Sequence, residues 1–363
     1  MKHAMKKFFI SAAFALLGLG ISYSQVGDFG KIMSGGVDDA TLMMTEYIRP
    51  LANALGANLN GGWYNTARVH KLGGFHLNFT ISTAFVPDAA KMYDLGSLSL
   101  SADPVTGDAA TFFGEKSSGP RISYSEEITP GNTITVAEYD HPGGLGIGFF
   151  PSPMLNAGVG LPKGFEVMGR YMPTLKFKGL SSDLWGLGIK HDIGQWIPFV
   201  KRLPVLDFTL QYGYTRLIVD YKLNSITPSD VGAEEDNSTK SWDNQNFNLA
   251  TQGHTANFLV GATLPVVSFY GGLGISVTQT NLKLNGDYPV PVLDPGPPVV
   301  VEVTDASAVT DPLDVEIKNK DGGIMNPRLN AGMRFKFAVV TLQFDYVYAN
   351  YSVATAGLGI SFR

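Results

Sequence analysis

Three stretches of this chain alternate apolar and polar side chains for nine to eleven positions, and alternation of that length admits few folds. In FHLNFTISTAF (75–85), Phe75, Leu77, Phe79 and Ile81 stand against His76, Asn78, Thr80 and Ser82. LDFTLQYGY (206–214) sets Leu206, Phe208, Leu210, Tyr212 and Tyr214 against Asp207, Thr209 and Gln211. VTLQFDYVY (340–348) sets Leu342, Phe344, Tyr346 and Tyr348 against Thr341, Gln343 and Asp345. A period of two puts the two sets on opposite faces of a strand. Strands of this length with one apolar and one polar face suit a transmembrane β-barrel, apolar to lipid and polar to lumen.

The first residues predict export. Lys2, Lys6 and Lys7 make a basic start, Phe8 to Leu19 a short apolar run, and Ser22-Tyr23-Ser24 a small-x-small cleavage site, giving a signal peptide over 1–25. That run is too short to span a bilayer as a helix, and no later run reaches about 18 apolar residues. Export through the Sec pathway without a helical stop leaves the periplasm, the outer membrane or the medium. The chain has no Cys, so its stability is built without disulfides. Its 42 Gly and 37 Phe plus Tyr suit aromatic girdles and a crowded wall, and equally a secreted sandwich.

Loop lengths separate those two. Ten candidate strands lie at 74–86, 153–161, 164–177, 183–192, 205–222, 253–264, 267–284, 325–336, 339–350 and 353–362. The long links 87–152, 223–252 and 285–324 all fall at one end, as outer loops do in bacterial barrels. Those loops carry 22 acidic and 6 basic residues, whereas the rest of the chain after the signal is net positive. Loop solubility accounts for the acids as readily as a binding role does. The expected fold is therefore all-β, an antiparallel transmembrane barrel of 10–14 strands with 12 as the centre, over 57–363. Extra strands could come from 56–69, which could instead lead out of a plug, and from the hairpin-like 122–139, which could equally be a β-extension of the outer loop. Residues 38–55 read as a helix, with Asp38 and Asp39 in the first turn, Met44, Tyr47, Ile48, Leu51 and Leu55 on one face, and Gly56 as stop. It makes 26–56 either a lumen plug or a periplasmic cap.

Chemistry-bearing motifs are sparse. The six His are scattered without metal-ligand spacing, so no metal or other cofactor is expected. No nucleophile elbow or phosphate loop occurs, and GGLGIGFF (143–150) and YGGLGIS (270–276) lack a following helix. His254 beside outer Ser residues is the nearest approach to a lipase site, and nothing in the spacing singles out a pair. Alternation instead points inward: His76, Glu166, Arg170, Lys190, Arg328, Arg334 and Lys336 should face the lumen. The plug acids Asp38, Asp39 and Glu46 are expected to pair with such bases as Arg170, Arg328 and Arg334, since unpaired charge in a narrow interior is costly. Wall acids Glu166, Asp207 and Asp345 are further candidates for those pairings.

The stretches DDATLMMTEYIRPLANALGANLNGGWYNTARVHKLGGFHLNF (38–79) and GLGIKHDIGQWIPFVKRLP (186–204) resemble an uncharacterised family of Bacteroidota proteins. GWYNTARVHK and KHDIGQWIP are the most specific parts. The resemblance implies an outer-membrane barrel and brings no catalytic residues. A helix ahead of a barrel is also similar in layout to fatty-acid transporter barrels. The expected protein is a monomer in outer-membrane lipid, folded by the barrel-assembly machinery, without nucleic acid. Its expected role is passage or binding of a small-molecule solute. The alternatives are a non-conducting surface barrel presenting acidic loops to a partner, and a rim lipid-modifying enzyme.

Overall fold

The computed structural model describes residues 32–318 and 325–363, apart from 178, 204 and 297, so the expected export signal lies outside the described residues. Ten strands form the wall: β1 (Phe75–Phe85), β2 (Phe149–Leu161), β3 (Phe165–Phe177), β4 (Leu180–Asp192) and β5 (Leu206–Lys222), then β6 (Asn246–Thr263), β7 (Val267–Asn285), β8 (Asn326–Phe337), β9 (Val340–Tyr348) and β10 (Val353–Phe362). Each pairs antiparallel with its sequence neighbours, and β1 pairs with β10, Phe75 opposite Phe362 and Ala84 opposite Val353. The result is a closed up-and-down barrel, which leaves no wall strand with an open edge.

Ten strands, not twelve, complete the wall. The 122–139 hairpin pairs only with itself, Arg121–Thr129 against Asn132–Asp140, and stands among the outer loops. Residues 56–69 supply no strand. The helix α1 runs from Val37 to Asn60, through Pro50 and past the expected stop at Gly56, and an irregular segment follows it to Gly74.

Burial follows the two-residue period as expected. Along β9, Thr341, Gln343, Asp345 and Val347 are buried while Leu342, Phe344, Tyr346 and Tyr348 are exposed. Along β1, His76, Asn78, Thr80 and Ser82 are buried, and the outward residues include Phe75 and Leu77. This apolar exterior is a lipid belt, and the closed wall gives the chain an outer-membrane β-barrel fold.

The ends differ. At one end β2–β3, β6–β7 and β8–β9 turn within a few residues, the first through Lys163 and Gly164 at positive φ. The other end bears the links 86–148, 223–245 and 286–325, which mark it as the outer end. The described parts of these links are folded. A small sheet joins Glu235–Asn237, Val300–Thr304 and Val292–Asp294, and Leu313–Lys318 extends the wall beside the outer half of β7. Leu95, Phe113, Ile122, Tyr139, Tyr288 and Val303 share one buried apolar cluster with Met43, Tyr47 and Leu55 of α1. The helix thus packs among the outer loops at its start and within the upper lumen at its end, opposite the short-turn end of the barrel.

Depth in the belt sets the cost of a charge. Phe344→Arg, mid-strand in β9, should lower unfolding stability in detergent by about 2–4 kcal/mol, and Tyr348→Arg at the strand end by about 0–1 kcal/mol. Denaturant titration read on unheated gels checks the difference.

Candidate functional site: the filled lumen

The interior of the barrel is occupied by the chain's own residues 58–74, descending from the outer cap to the short-turn end. At the top, Asn58 donates to the Phe150 carbonyl (2.7 Å) and to Ser152 Oγ (2.9 Å), and Asn60 donates to Thr278 Oγ1 (3.1 Å). The last carbonyls of a helix lack intrahelical donors and carry its negative pole. Here wall arginines supply the donors. Arg170 donates to the carbonyls of Leu59 and Gly61, both at 2.7 Å, and Arg328 to that of Asn60 at 2.7 Å. Arg170 also lies 4.1 Å from the Trp63 ring centroid. That indole fits because Gly188 and Gly213 face it: a Cβ at Gly213 would come within 2.4 Å of the ring.

Lower down, Arg334 donates to Asn65 Oδ1 (3.3 Å), Lys190 to the carbonyls of Thr66 (3.2 Å) and Arg68 (3.0 Å), and Thr209 to that of Ala67 (2.5 Å). Arg68 pairs with Asp207 at 2.9 Å. At the base, the His70 backbone N–H donates to Glu166 Oε2 (2.9 Å), its Nδ1 lies 3.0 Å from the same oxygen, and its Nε2 lies 2.9 Å from Ser361 Oγ. His76 Nδ1 approaches Glu166 Oε1 at 3.2 Å, and Lys190 Nζ lies 3.6 Å from Oε2. Main-chain bonds between Gly73, Gly74 and Gly160 then hand the chain to β1.

Six of the seven expected lumen residues are buried inside: His76, Glu166, Arg170, Lys190, Arg328 and Arg334. Lys336, at the short-turn end of β8, is only half-buried. The expected partners are corrected. Asp39 accepts from Ser101 N (2.9 Å) and the Tyr124 hydroxyl (3.1 Å), Glu46 pairs with Arg49 on its own helix, and Asp38 is exposed. All three sit in the cap, too high to reach the wall bases. Arg170 and Arg328 are met by helix-end carbonyls, which the sequence pattern does not display. Ser361, His70 and Glu166 stand in the order of a hydrolytic triad, yet Ser361 is 2% exposed and Lys190 crowds the carboxylate. His254 is outward-facing in mid-β6, with Nδ1 2.7 Å from the Tyr212 hydroxyl, and stands at no outer rim.

Two spaces adjoin this filling. A cavity of ≈ 30 Å³ beneath α1, lined by Asn60, Thr278, Arg328 and Tyr351 among others, has room for little more than a water or two. A larger cleft of ≈ 390 Å³ opens in the cap between α1 and the first outer loop, lined by Glu46, Arg49, Asn53, Met92, Tyr93 and Tyr351 among others. Beside it, His141 is fully buried, its Nε2 2.7 Å from the Tyr93 hydroxyl and its Nδ1 2.8 Å from the Pro142 carbonyl. Burial pulls His141 down from 6.5 to about 4.

With this geometry in view, comparison with known proteins adds the following. A family model described as a family of unknown function (DUF6588) matches residues 5–362. The chain belongs to this family. The match bears out the resemblance to an uncharacterised family. No curated protein matches the sequence. Among solved structures, Ail, the attachment invasion locus protein of Yersinia pestis, is 8% identical, with 80% of this chain and 98% of that one covered and a TM-score of 0.21. The outer membrane transporter YddB from Escherichia coli is 9% identical, with 80% and 41% covered and a TM-score of 0.28. The TodX monoaromatic hydrocarbon channel is 10% identical, with 85% and 69% covered and a TM-score of 0.25. At such scores no argument is taken from them, and the barrel rests on this chain's own ring of strands.

Two outcomes follow from the geometry. Arg170→Met removes the donors to Leu59 and Gly61 and should cost about 3 kcal/mol of unfolding stability; Lys336→Met, at the rim, should cost about 0.5 kcal/mol or less. Parallel denaturant titrations measure both. The cap should also loosen in acid. Neutral His141 is favoured by folding, so its contribution is intact above about 6.5 and is lost as pH falls through about 4. Limited proteolysis of the outer loops across that range should show the loss, and His141→Gln should flatten the profile.

Proposed function

We propose that this protein handles a small molecule at the outer mouth of a barrel whose resting lumen is shut by its own residues 58–74. The observation that carries the reading is the continuous filling of the lumen, bonded to the wall from Asn58 to Gly74. A solute arriving from outside meets the cleft between α1 and Tyr93, of mixed polar and apolar lining and of a size for a small organic molecule. Passage then requires the threaded segment to leave its wall partners. Placement in the outer membrane after Sec export, folding by the assembly machinery, a monomeric state and a Bacteroidota lineage belong with this reading. A non-enzymatic role fits it as well. The rival, a surface barrel presenting its loops, draws support from the folded cap and its apolar core.

Planar-bilayer recording tests the proposal. Wild-type protein should be silent at rest, and the double variant Arg170→Met/Arg328→Met, which frees the helix end, should show openings. A Cβ at Gly261 would lie 2.7 Å from Ala67 Cβ, so Ala67→Cys/Gly261→Cys can form a disulfide after slight relaxation. Built into the double variant, it should close the openings until reductant is added. Steady wild-type conductance indifferent to that disulfide would refute the shut lumen. Silence in every variant would favour the surface barrel.

A further inference from the structure

The fold brings together what the sequence keeps apart. His70 lies in the threaded segment, His76 in β1 and Glu166 in β3, and one ligand atom from each lies within 4.8 Å of the others. All three are buried, Glu166 at 0% exposure. We propose that His70, His76 and Glu166 form a binding site for a first-row divalent transition-metal ion, zinc foremost, that fastens the lumen segment to the wall.

Hydrogen bonding alone leaves two of these atoms unexplained. His76 Nδ1 and Glu166 Oε1 are 3.2 Å apart, yet they are not aligned as donor and acceptor, and neither has another hydrogen-bond partner among the described residues. A cation between two buried polar atoms without an aligned hydrogen bond would satisfy both. The spacing suits one. Zinc bonds of about 2.0–2.2 Å in a tetrahedron set neighbouring donors roughly 3.3 Å apart, and His76 Nδ1 stands 3.2 Å from Glu166 Oε1, with a His70 ring nitrogen within 4.8 Å of both.

The surroundings have the form of an outer shell. His70 Nε2 lies 2.9 Å from Ser361 Oγ, and a remote ring nitrogen hydrogen-bonded in this way turns the Nδ1 lone pair toward an ion. Glu166 Oε2 is held by the His70 backbone N–H and by Lys190, leaving Oε1 for the ion. Lys190 is itself anchored on the carbonyls of Thr66 and Arg68. Gly158, opposite His76 in the sheet, keeps the space open: a Cβ there would fall 2.4 Å from His76 Cε1 and 3.0 Å from Glu166 Oε1. Two imidazoles and one carboxylate select zinc or its neighbours over calcium or magnesium, which prefer all-oxygen shells. The site is independent of whether the barrel passes a solute.

The test uses full-length folded protein in detergent, stripped with EDTA and titrated with zinc chloride by calorimetry and elemental analysis. One zinc per chain is expected, and cobalt in its place should give the intense visible absorption of a tetrahedral site. His76→Ala and Glu166→Gln should weaken binding at least 100-fold, Ser361→Ala about 10–100-fold, and Gly158→Ala should weaken it by crowding His76. His254→Ala, on the outer face, should bind as wild type does. Folding of each variant is checked by its heat-dependent gel shift. Should His76→Ala not fold, His76→Gln takes its place, and the wild-type stoichiometry stands as a test in itself. No zinc in wild type, or equal binding after loss of His76, overturns the site.

Discussion

The bonds from Arg170 and Arg328 to the last carbonyls of α1 are the constraint on which the interior depends. A closed barrel of ten strands must fill its lumen or leave it wet. Its inward face here carries more bases than acids, and a buried guanidinium without partners is strongly destabilising. A helix end offers several acceptors in one place and a negative pole besides. Bonds to a charged donor contribute about 1.5–3 kcal/mol each, so placing that helix end at the height of Arg170 and Arg328 resolves both problems together. The segment below it follows the same logic. Lys190 takes two carbonyls, and Arg334 takes the amide of Asn65.

The expected charge pairing failed for an instructive reason. An amphipathic helix with acids in its first turn looks like a partner for wall arginines. In the structure, Asp39 and Glu46 serve the cap, where Ser101, Tyr124 and Arg49 meet them. The arginines instead find main-chain oxygen, which every residue carries and no composition reveals. What the lumen required from α1 was its end, and the acids were never at that end.

The wall was legible because its signal is local. A period of two in β1, β5 and β9 states which face meets lipid, and the burial alternates accordingly. The ten strands were placed by their spacing, although β2 and β6 begin several residues earlier than the pattern shows. Residues 61–74 were not legible as a lumen filling. Asn-Thr-Ala-Arg has no period, and its conformation is set by Thr209, Asp207, Lys190 and Glu166, about a hundred positions away or more. The same distance hid the His70, His76 and Glu166 cluster from any motif search. Trp63 gave a faint signal, because a tryptophan among glycines wants a glycine-lined niche, and Gly188 and Gly213 provide it.

The path of the chain also orders its assembly. Residues 37–60 lie in the outer cap and upper lumen, 61–74 run down the interior, and β1 starts at the short-turn end beside β10. The β1–β10 contact is what closes the ring. Were it to form first, a 24-residue helix would have to be drawn through an interior already crowded by Arg170, Arg328 and Arg334. A wall that closes around a segment already in place avoids that passage. In that order, the bonds from Glu166, Lys190 and Arg170 would be available to gather β3 and β4 around the segment before the ring closes.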